Sequence, residues 1–298
     1  MGQVLMEVFL PRTLDEALEL RAAHPEALPI AGGTDVMVEL NFDRRRPEAI
    51  IDVSRLDELR RWRREDGAFF LGAGVTYSRI MRELPQFVPL VQASRTVGSP
   101  QIRNRGTVGG NLGTASPAGD ALPVLAAYEA EIVLVRAGGE TRNVPWDQFH
   151  LGVKKTALAP GELILGARWK AIRGPGSFSK IGTRNAMVIS VAGLCLAVDE
   201  DGRDVRVALG SVAPTIVRAP AAEAVAARAM HDAGTWDEPA APLPPEAFQE
   251  FGRLVAEAAQ PIDDVRGSAA YRRHACGVLA RRALGWAMDD RRSRRGAP

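Results

Sequence analysis

Residues 106–120 read "GTVGGNLGTASPAGD": five glycines, four hydroxyl or amide side chains (Thr107, Asn111, Thr114 and Ser116), one acid, Asp120, and no base. Upstream, residues 28–40 read "LPIAGGTDVMVEL", a glycine pair entered from an apolar run. Glycine at a sharp bend lets main-chain N–H groups converge on an anion that a side chain would otherwise shield. Ala31, Gly32, Gly33, Thr34 and Asp35 form such a bend, between a short strand that includes Pro29 and Ile30 and a helix start that leads into Val36, where negative charge is favoured. Hydrogen bonds to a charged group contribute about 1.5–3 kcal/mol each. Three or four main-chain donors therefore outweigh one surface lysine, and no lysine is needed.

The second stretch reads as a loop of a different kind. Gly106, Gly109 and Gly110 let the backbone approach a ligand, while Thr107, Asn111, Thr114 and Ser116 offer mixed donors and acceptors. Asp120 can only accept when ionised, which suits a sugar or ribityl hydroxyl better than a phosphate. A ligand carrying both phosphates and polyol hydroxyls satisfies both stretches; a dinucleotide fits, and so does a sugar nucleotide. Competing signatures are missing. The chain has no G-x-G-x-x-G and no Walker lysine, and "SFSK" at 177–180 lacks the companion motifs of a serine hydrolase.

Composition narrows the function classes. The chain has 298 residues, 46% hydrophobic and 25% charged, which is ordinary for about two globular domains. A net charge of +2 gives no electrostatic footprint for nucleic acid or an anionic membrane. No apolar run approaches the roughly 18 residues a membrane span requires, and "MGQVLMEVFLPRT" lacks a signal-like core, so a cytoplasmic protein is expected. Two cysteines cannot hold an iron–sulfur cluster, which takes about four thiolates. The four histidines are scattered and offer no metal site.

The punctuation of the chain predicts an α+β organisation. Residues 13–25, "TLDEALELRAAHP", predict a helix with Thr13 as cap, Glu16 as the capping-box acid and Pro25 as the stop. "ALPIA", "PEAIIDVS" and "AFFLGAGVT" predict strands. "EIVLVRAGGETRNVPW" and "CLAVDEDGRDVRVALGSV" predict hairpins turning at Gly138–Gly139 and Asp201–Gly202. Cys195, inside an almost continuous apolar run, is expected in a buried strand. "RGPGS" at 173–177 marks a boundary, and two helical stretches close the chain.

Four segments in order carry a resemblance: "AGGTDVMVEL" (31–40), "VGSPQIRNRGTVGGNLGTASPAGDALPVL" (97–125), "KIGTRNAMVISVAG" (180–193) and "IDDVRGSAAYRRHACGVLARRAL" (262–284). Together they resemble the FAD-binding medium subunit of the xanthine dehydrogenase and carbon monoxide dehydrogenase family of molybdenum hydroxylases. The resemblance implies a two-part FAD-binding region of the vanillyl-alcohol oxidase (PCMH) type, residues 1–172, with subdomains of about 1–55 and 56–172. A smaller α+β domain, like the carbon monoxide dehydrogenase flavoprotein C-terminal domain, would follow at 176–286. Residues 287–298 are expected to be a disordered basic tail.

By the same resemblance, Pro29 to Val36 cradle the FAD pyrophosphate, and Thr107 to Asn111 make a second pyrophosphate and ribityl contact. Asp120 takes a polar end of the cofactor. Ile164 and Lys180 lie near its ring, and Val97 stands where some relatives carry an aromatic. FAD would be held non-covalently, since neither loop contains a histidine. The iron–sulfur clusters and molybdenum cofactor would belong to partners, a small [2Fe–2S] subunit and a large molybdopterin subunit, in a heterotrimer or its dimer. Electrons would leave to NAD, oxygen or a quinone. No side chain is assigned as acid, base or nucleophile, because the cofactor does the redox chemistry. The alternatives are a stand-alone FAD-dependent oxidoreductase of the same cofactor fold and a non-enzymatic nucleotide-binding scaffold.

Overall fold

The computed structural model describes residues 6–295, and the chain forms two compact units. The first comprises the described part of Met1–Glu83, with Ser99–Ser116 and Ala130–Lys170. The second comprises Leu84–Gly98, Pro117–Glu129 and the described part of Ala171–Pro298. The units thus differ from the contiguous domains read from the sequence. Helices Val88–Thr96 and Ala121–Ala127 carry buried apolar residues that pack on the second unit's sheet, and they take their segments with them.

The first unit holds two sheets. Strands Glu7–Phe9, Ala49–Asp52 and Leu28–Ile30 lie side by side in that order, all parallel. Ile51 is fully buried in a cluster with Ala17 and Leu18 of helix Leu14–Ala23. That helix starts at Thr13, whose hydroxyl accepts from the Glu16 N–H at 3.2 Å. The Glu16 carboxylate accepts from the Arg12 N–H at 2.6 Å, one residue before the position a capping box would use.

The larger sheet is antiparallel throughout, in the order Trp62–Glu65, Ala68–Gly72, Leu163–Lys170, Glu131–Val135 and Thr141–Pro145. Its last hairpin turns where predicted. Gly138 and Gly139 have φ of +85° and +77°, a region that side-chain-bearing residues avoid and tight hairpin turns require.

The second unit is built on one antiparallel sheet, ordered Gly176–Ile181, Ala192–Asp199, Asp204–Gly210 and Val217–Arg218. Ala192–Asp199 is buried along its whole length, which is why its sequence reads as a nearly unbroken apolar run rather than an alternation. Cys195 lies within it at zero exposure, and burial pushes its thiol up, away from the reactive thiolate form. Helices Pro220–Asp232, Pro245–Ala258 and Ala269–Arg295 complete the core. A Cβ on Gly252 would stand 2.8 Å from the Gly277 carbonyl oxygen, so the last two helices approach closely there.

The expected disordered tail is corrected by the last helix, which runs on to Arg295. Ala287 and Met288 are buried, and Arg291 is 3% exposed with its guanidinium bonded to Glu200 at 3.1 Å. Asp290 and Arg294 pair one turn apart at 2.8 Å. These contacts give the arginine-rich segment a packed face that its composition does not announce. Gly296, Ala297 and Pro298 lie outside the described residues.

Candidate cofactor site

The parallel sheet of the first unit delivers its short strand Leu28–Ile30 into a bend at 31–35, from which helix Val36–Asn41 leaves. Gly33 has φ +74°, so the bend needs a residue without a Cβ. Gly32 is there for clearance: a Cβ on it would lie 2.0 Å from the Arg105 carbonyl oxygen. The bend therefore lies against the end of helix Pro100–Arg105 and against Gly106. Among the described residues, no group accepts a hydrogen bond from the N–H of Gly32, Gly33, Thr34 or Asp35. Four adjacent main-chain donors without partners, around a partly exposed bend, are what an anionic group needs.

The second glycine stretch differs from its reading as a loop. Val108–Thr114 is a helix, with Thr107 as its cap: the Thr107 hydroxyl accepts from Gly110 N–H at 3.0 Å. Its first N–H groups are already engaged. Val108 donates to Val75 at 3.2 Å, Gly109 to Ala73 at 2.8 Å and Asn111 to Thr107 at 3.0 Å. This stretch offers a ligand its side chains, not a main-chain cradle. Gly109 is required because a Cβ there would stand 2.5 Å from that of Ala73. The helix ends in Ala115, which adopts the left-handed conformation with φ +48°.

The two stretches of the first unit are tied to each other. The Thr114 hydroxyl donates to the Asp35 carboxylate at 2.9 Å, so two residues expected on the cofactor bond to one another. Ile164 lies beside the same helix, 3.7 Å from where a Cβ on Gly113 would sit. Pro29 and Ile30 are part of the strand, and Ser116 is partly buried just beyond the helix. His150, which sequence reading left unassigned, bonds through Nε2 to the Leu112 carbonyl at 3.1 Å, and burial pushes its pKa down. Nothing local in the sequence marks it, because its partner is 38 residues away.

Asp120, Lys180 and Val97 belong to the second unit. Lys180 Nζ donates to Asp120 Oδ2 at 2.6 Å and to the Thr96 carbonyl at 3.1 Å. The Thr96 hydroxyl donates to the same Oδ2 at 2.9 Å. The side chains of Lys180 and Asp120 are 7% and 5% exposed, so the ion pair is buried. Burial pushes the Asp120 carboxyl up from its ordinary value, while the Lys180 charge and the hydrogen bonds pull it back. Val97 caps the C-terminal end of helix Val88–Thr96 and is partly buried. Thr96 was not foreseen, since its role depends on a fold that brings it to residue 120.

Among the described residues, the buried side-chain oxygens without hydrogen-bond partners are the hydroxyls of Ser177, Ser190 and Ser211 and two pure acceptors, the Oδ1 atoms of Asn111 in the first unit and Asp120 in the second. An unsatisfied buried acceptor costs about 1–3 kcal/mol. Both lie at positions read from the sequence as cofactor contacts, so the residues present fit a ligand rich in hydroxyl donors. Within the first unit, the donor bend and Asn111 Oδ1 fit an anionic, hydroxyl-bearing ligand; within the second, Asp120 Oδ1 is an acceptor without a partner.

Comparison with known proteins gives the family. The model for the FAD binding domain in molybdopterin dehydrogenase matches residues 4–168, and that for the CO dehydrogenase flavoprotein C-terminal domain matches residues 177–287. The chain belongs to this family of molybdopterin dehydrogenase FAD-binding proteins. It is 30% identical to the carbon monoxide dehydrogenase medium chain of Hydrogenophaga pseudoflava, over 93% of this chain and 95% of that one. It is 36% identical to the nicotinate dehydrogenase FAD-subunit of Eubacterium barkeri, over 65% and 69% of the two chains. The fold matches a solved carbon monoxide dehydrogenase from Hydrogenophaga pseudoflava with a TM-score of 0.82 and 29% identity, covering 98% of this chain and 99% of that one. Among the described residues no helix is long and apolar enough to cross a membrane, and no cluster of His, Cys, Asp and Glu could hold a metal ion.

Proposed function

We propose that this chain is the electron-transfer subunit of a cytoplasmic molybdenum hydroxylase, holding FAD non-covalently. The observation that carries the reading is the row of partnerless N–H groups from Gly32 to Asp35. These donors hold the pyrophosphate. The side chains of Thr107 and Asn111 take hydroxyls of the same ligand, and Ile164 gives it an apolar contact. Asp120, bonded to Lys180, accepts from a polar end of the cofactor through Oδ1, and Val97 lies at the ring end. Thr114 and Asp35, bonded together, hold the cradle's shape. Bound FAD supplies redox chemistry that no side chain here provides, taking electrons that arrive from iron–sulfur clusters and releasing them to NAD, oxygen or a quinone. The partners are a small [2Fe–2S] subunit and a large molybdopterin subunit. Two buried cysteines in this chain agree with clusters housed elsewhere.

The test is to purify the chain with whatever copurifies, assay flavin, iron and molybdenum, then strip the flavin and titrate FAD back. The reading expects stoichiometric FAD uptake and metal only in the partner chains. Failure to take up FAD would overturn it.

A further inference from the structure

The position of Lys180 has a consequence for the cofactor site. Its ammonium has three N–H donors. One goes to Asp120 Oδ2 at 2.6 Å and one to the Thr96 carbonyl at 3.1 Å, in surroundings that leave the lysine side chain 7% exposed. The Thr96 hydroxyl, whose single proton is shared between Oδ2 at 2.9 Å and the Ala93 carbonyl at 2.8 Å, takes a second place on that oxygen. Every group that touches the carboxylate touches the same oxygen. Oδ1, itself buried, has none. A carboxylate loaded on one oxygen and empty on the other has a defined orientation and one free acceptor. Three elements converge to make it: the end of helix Val88–Thr96, the residue before helix Ala121–Ala127, and strand Gly176–Ile181.

We infer that Lys180 is a positioning residue: it serves the cofactor through Asp120, holding that carboxylate charged and turned so that Oδ1 alone is offered to a ligand hydroxyl. This deepens the proposed FAD site and rests on it. Thr96 is the second half of the same clamp. Among the described residues, Lys180 is the one charged side chain that bonds Asp120, and the influences on that carboxyl are burial first, then Lys180 and the Thr96 hydroxyl. Without the ammonium, burial is opposed by the Thr96 hydrogen bond alone, and the carboxyl takes up a proton at a higher pH. A protonated carboxyl is the weaker acceptor.

The experiment uses the full chain, stripped of flavin, and measures FAD dissociation constants by fluorescence between pH 6 and 9. Wild type binds FAD with an affinity nearly independent of pH. Lys180→Met loses about tenfold at the acid end and recovers as pH rises, whereas Asp120→Asn is weak at every pH. Adding Lys180→Met to Asp120→Asn changes nothing further, because the lysine acts only through the acid. Circular dichroism confirms folding. If Lys180→Met does not fold, the comparison of Asp120→Asn with the double variant carries the decision alone. A further loss of affinity in the double variant, or a Lys180→Met profile as flat and tight as wild type, would overturn the inference. Failure of the wild type to bind FAD would instead overturn the proposed function, so the two failures are distinguishable.

Discussion

Gly32–Gly33 and Gly109–Gly110 are the same dipeptide in the same unit, and they answer to different physics. At Gly33 the requirement is backbone conformation, φ +74°, since a Cβ there would make only ordinary contacts, the nearest with Ile30 at 3.4 Å. Among the described residues, its N–H and those of Gly32, Thr34 and Asp35 have no acceptor. At Gly109 the backbone is ordinary helix, the N–H is bonded to Ala73, and a Cβ would be driven into that residue at 2.5 Å. One pair frees donors for a ligand; the other lets a helix sit against the strand region that carries the site. A third pair, Gly138–Gly139, has positive φ at both residues and nothing within 4 Å. It makes a hairpin and no more.

This contrast can be broken at each point, starting with the largest effect. Gly109→Val should destabilise the first unit by about 3 kcal/mol through overpacking, read as a lower urea midpoint. An unchanged midpoint would mean that the close approach to Ala73 is not real. Gly33→Val should behave the opposite way. Its FAD affinity should fall by more than about tenfold, or 1.4 kcal/mol, while the fold loses only about 1–2 kcal/mol to left-handed strain. Equal FAD affinity in this variant and wild type would reduce the bend to an ordinary turn.

Support beneath the second glycine pair has a pH signature. Helix Tyr77–Glu83 packs against Gly106, where Tyr77 N–H donates to the Gly106 carbonyl at 3.2 Å. The Arg79 guanidinium beside Glu83 holds that carboxyl at about 2, against an ordinary 4.5. A depressed carboxyl stabilises the fold above its unfolded value and loses that contribution as pH falls through its folded value. Arg79→Met should therefore be less stable than wild type above pH 4.5, with the gap closing toward pH 2. A gap that stays constant in urea titrations across that range would contradict the pairing. The smallest effect is expected at Gly138→Ala: about 1 kcal/mol of stability and no change in FAD affinity. A lost affinity there would show that these glycine substitutions act through global unfolding.

Much of the fold was legible because its signals are local. The strand before Gly32, the cap at Thr13 and both hairpins depend on neighbours within a few residues, and each lies where the sequence placed it. The helix Val108–Thr114 was not legible, since four glycine or threonine residues among its seven disfavour helix in isolation. Packing on Ala73 and the Thr107 cap override that preference. Ala121–Ala127 is apolar on every side and contains Pro123, so it shows no helical periodicity; it is buried all round. At the candidate site, the bend at 31–35 was readable from its glycines. The division of labour was not. That Thr114 bonds Asp35, and that Lys180 bonds Asp120, depends on contacts across 79 and 60 residues.

Residue-resolved amide hydrogen exchange on the full chain, with and without saturating FAD, puts the central claim to its most direct test. The account predicts that the N–H groups of Gly32, Gly33, Thr34 and Asp35 slow by about tenfold or more on binding, while those of Gly138 and Gly139 exchange as before. FAD binding that leaves the Gly32–Asp35 amides unprotected would contradict it.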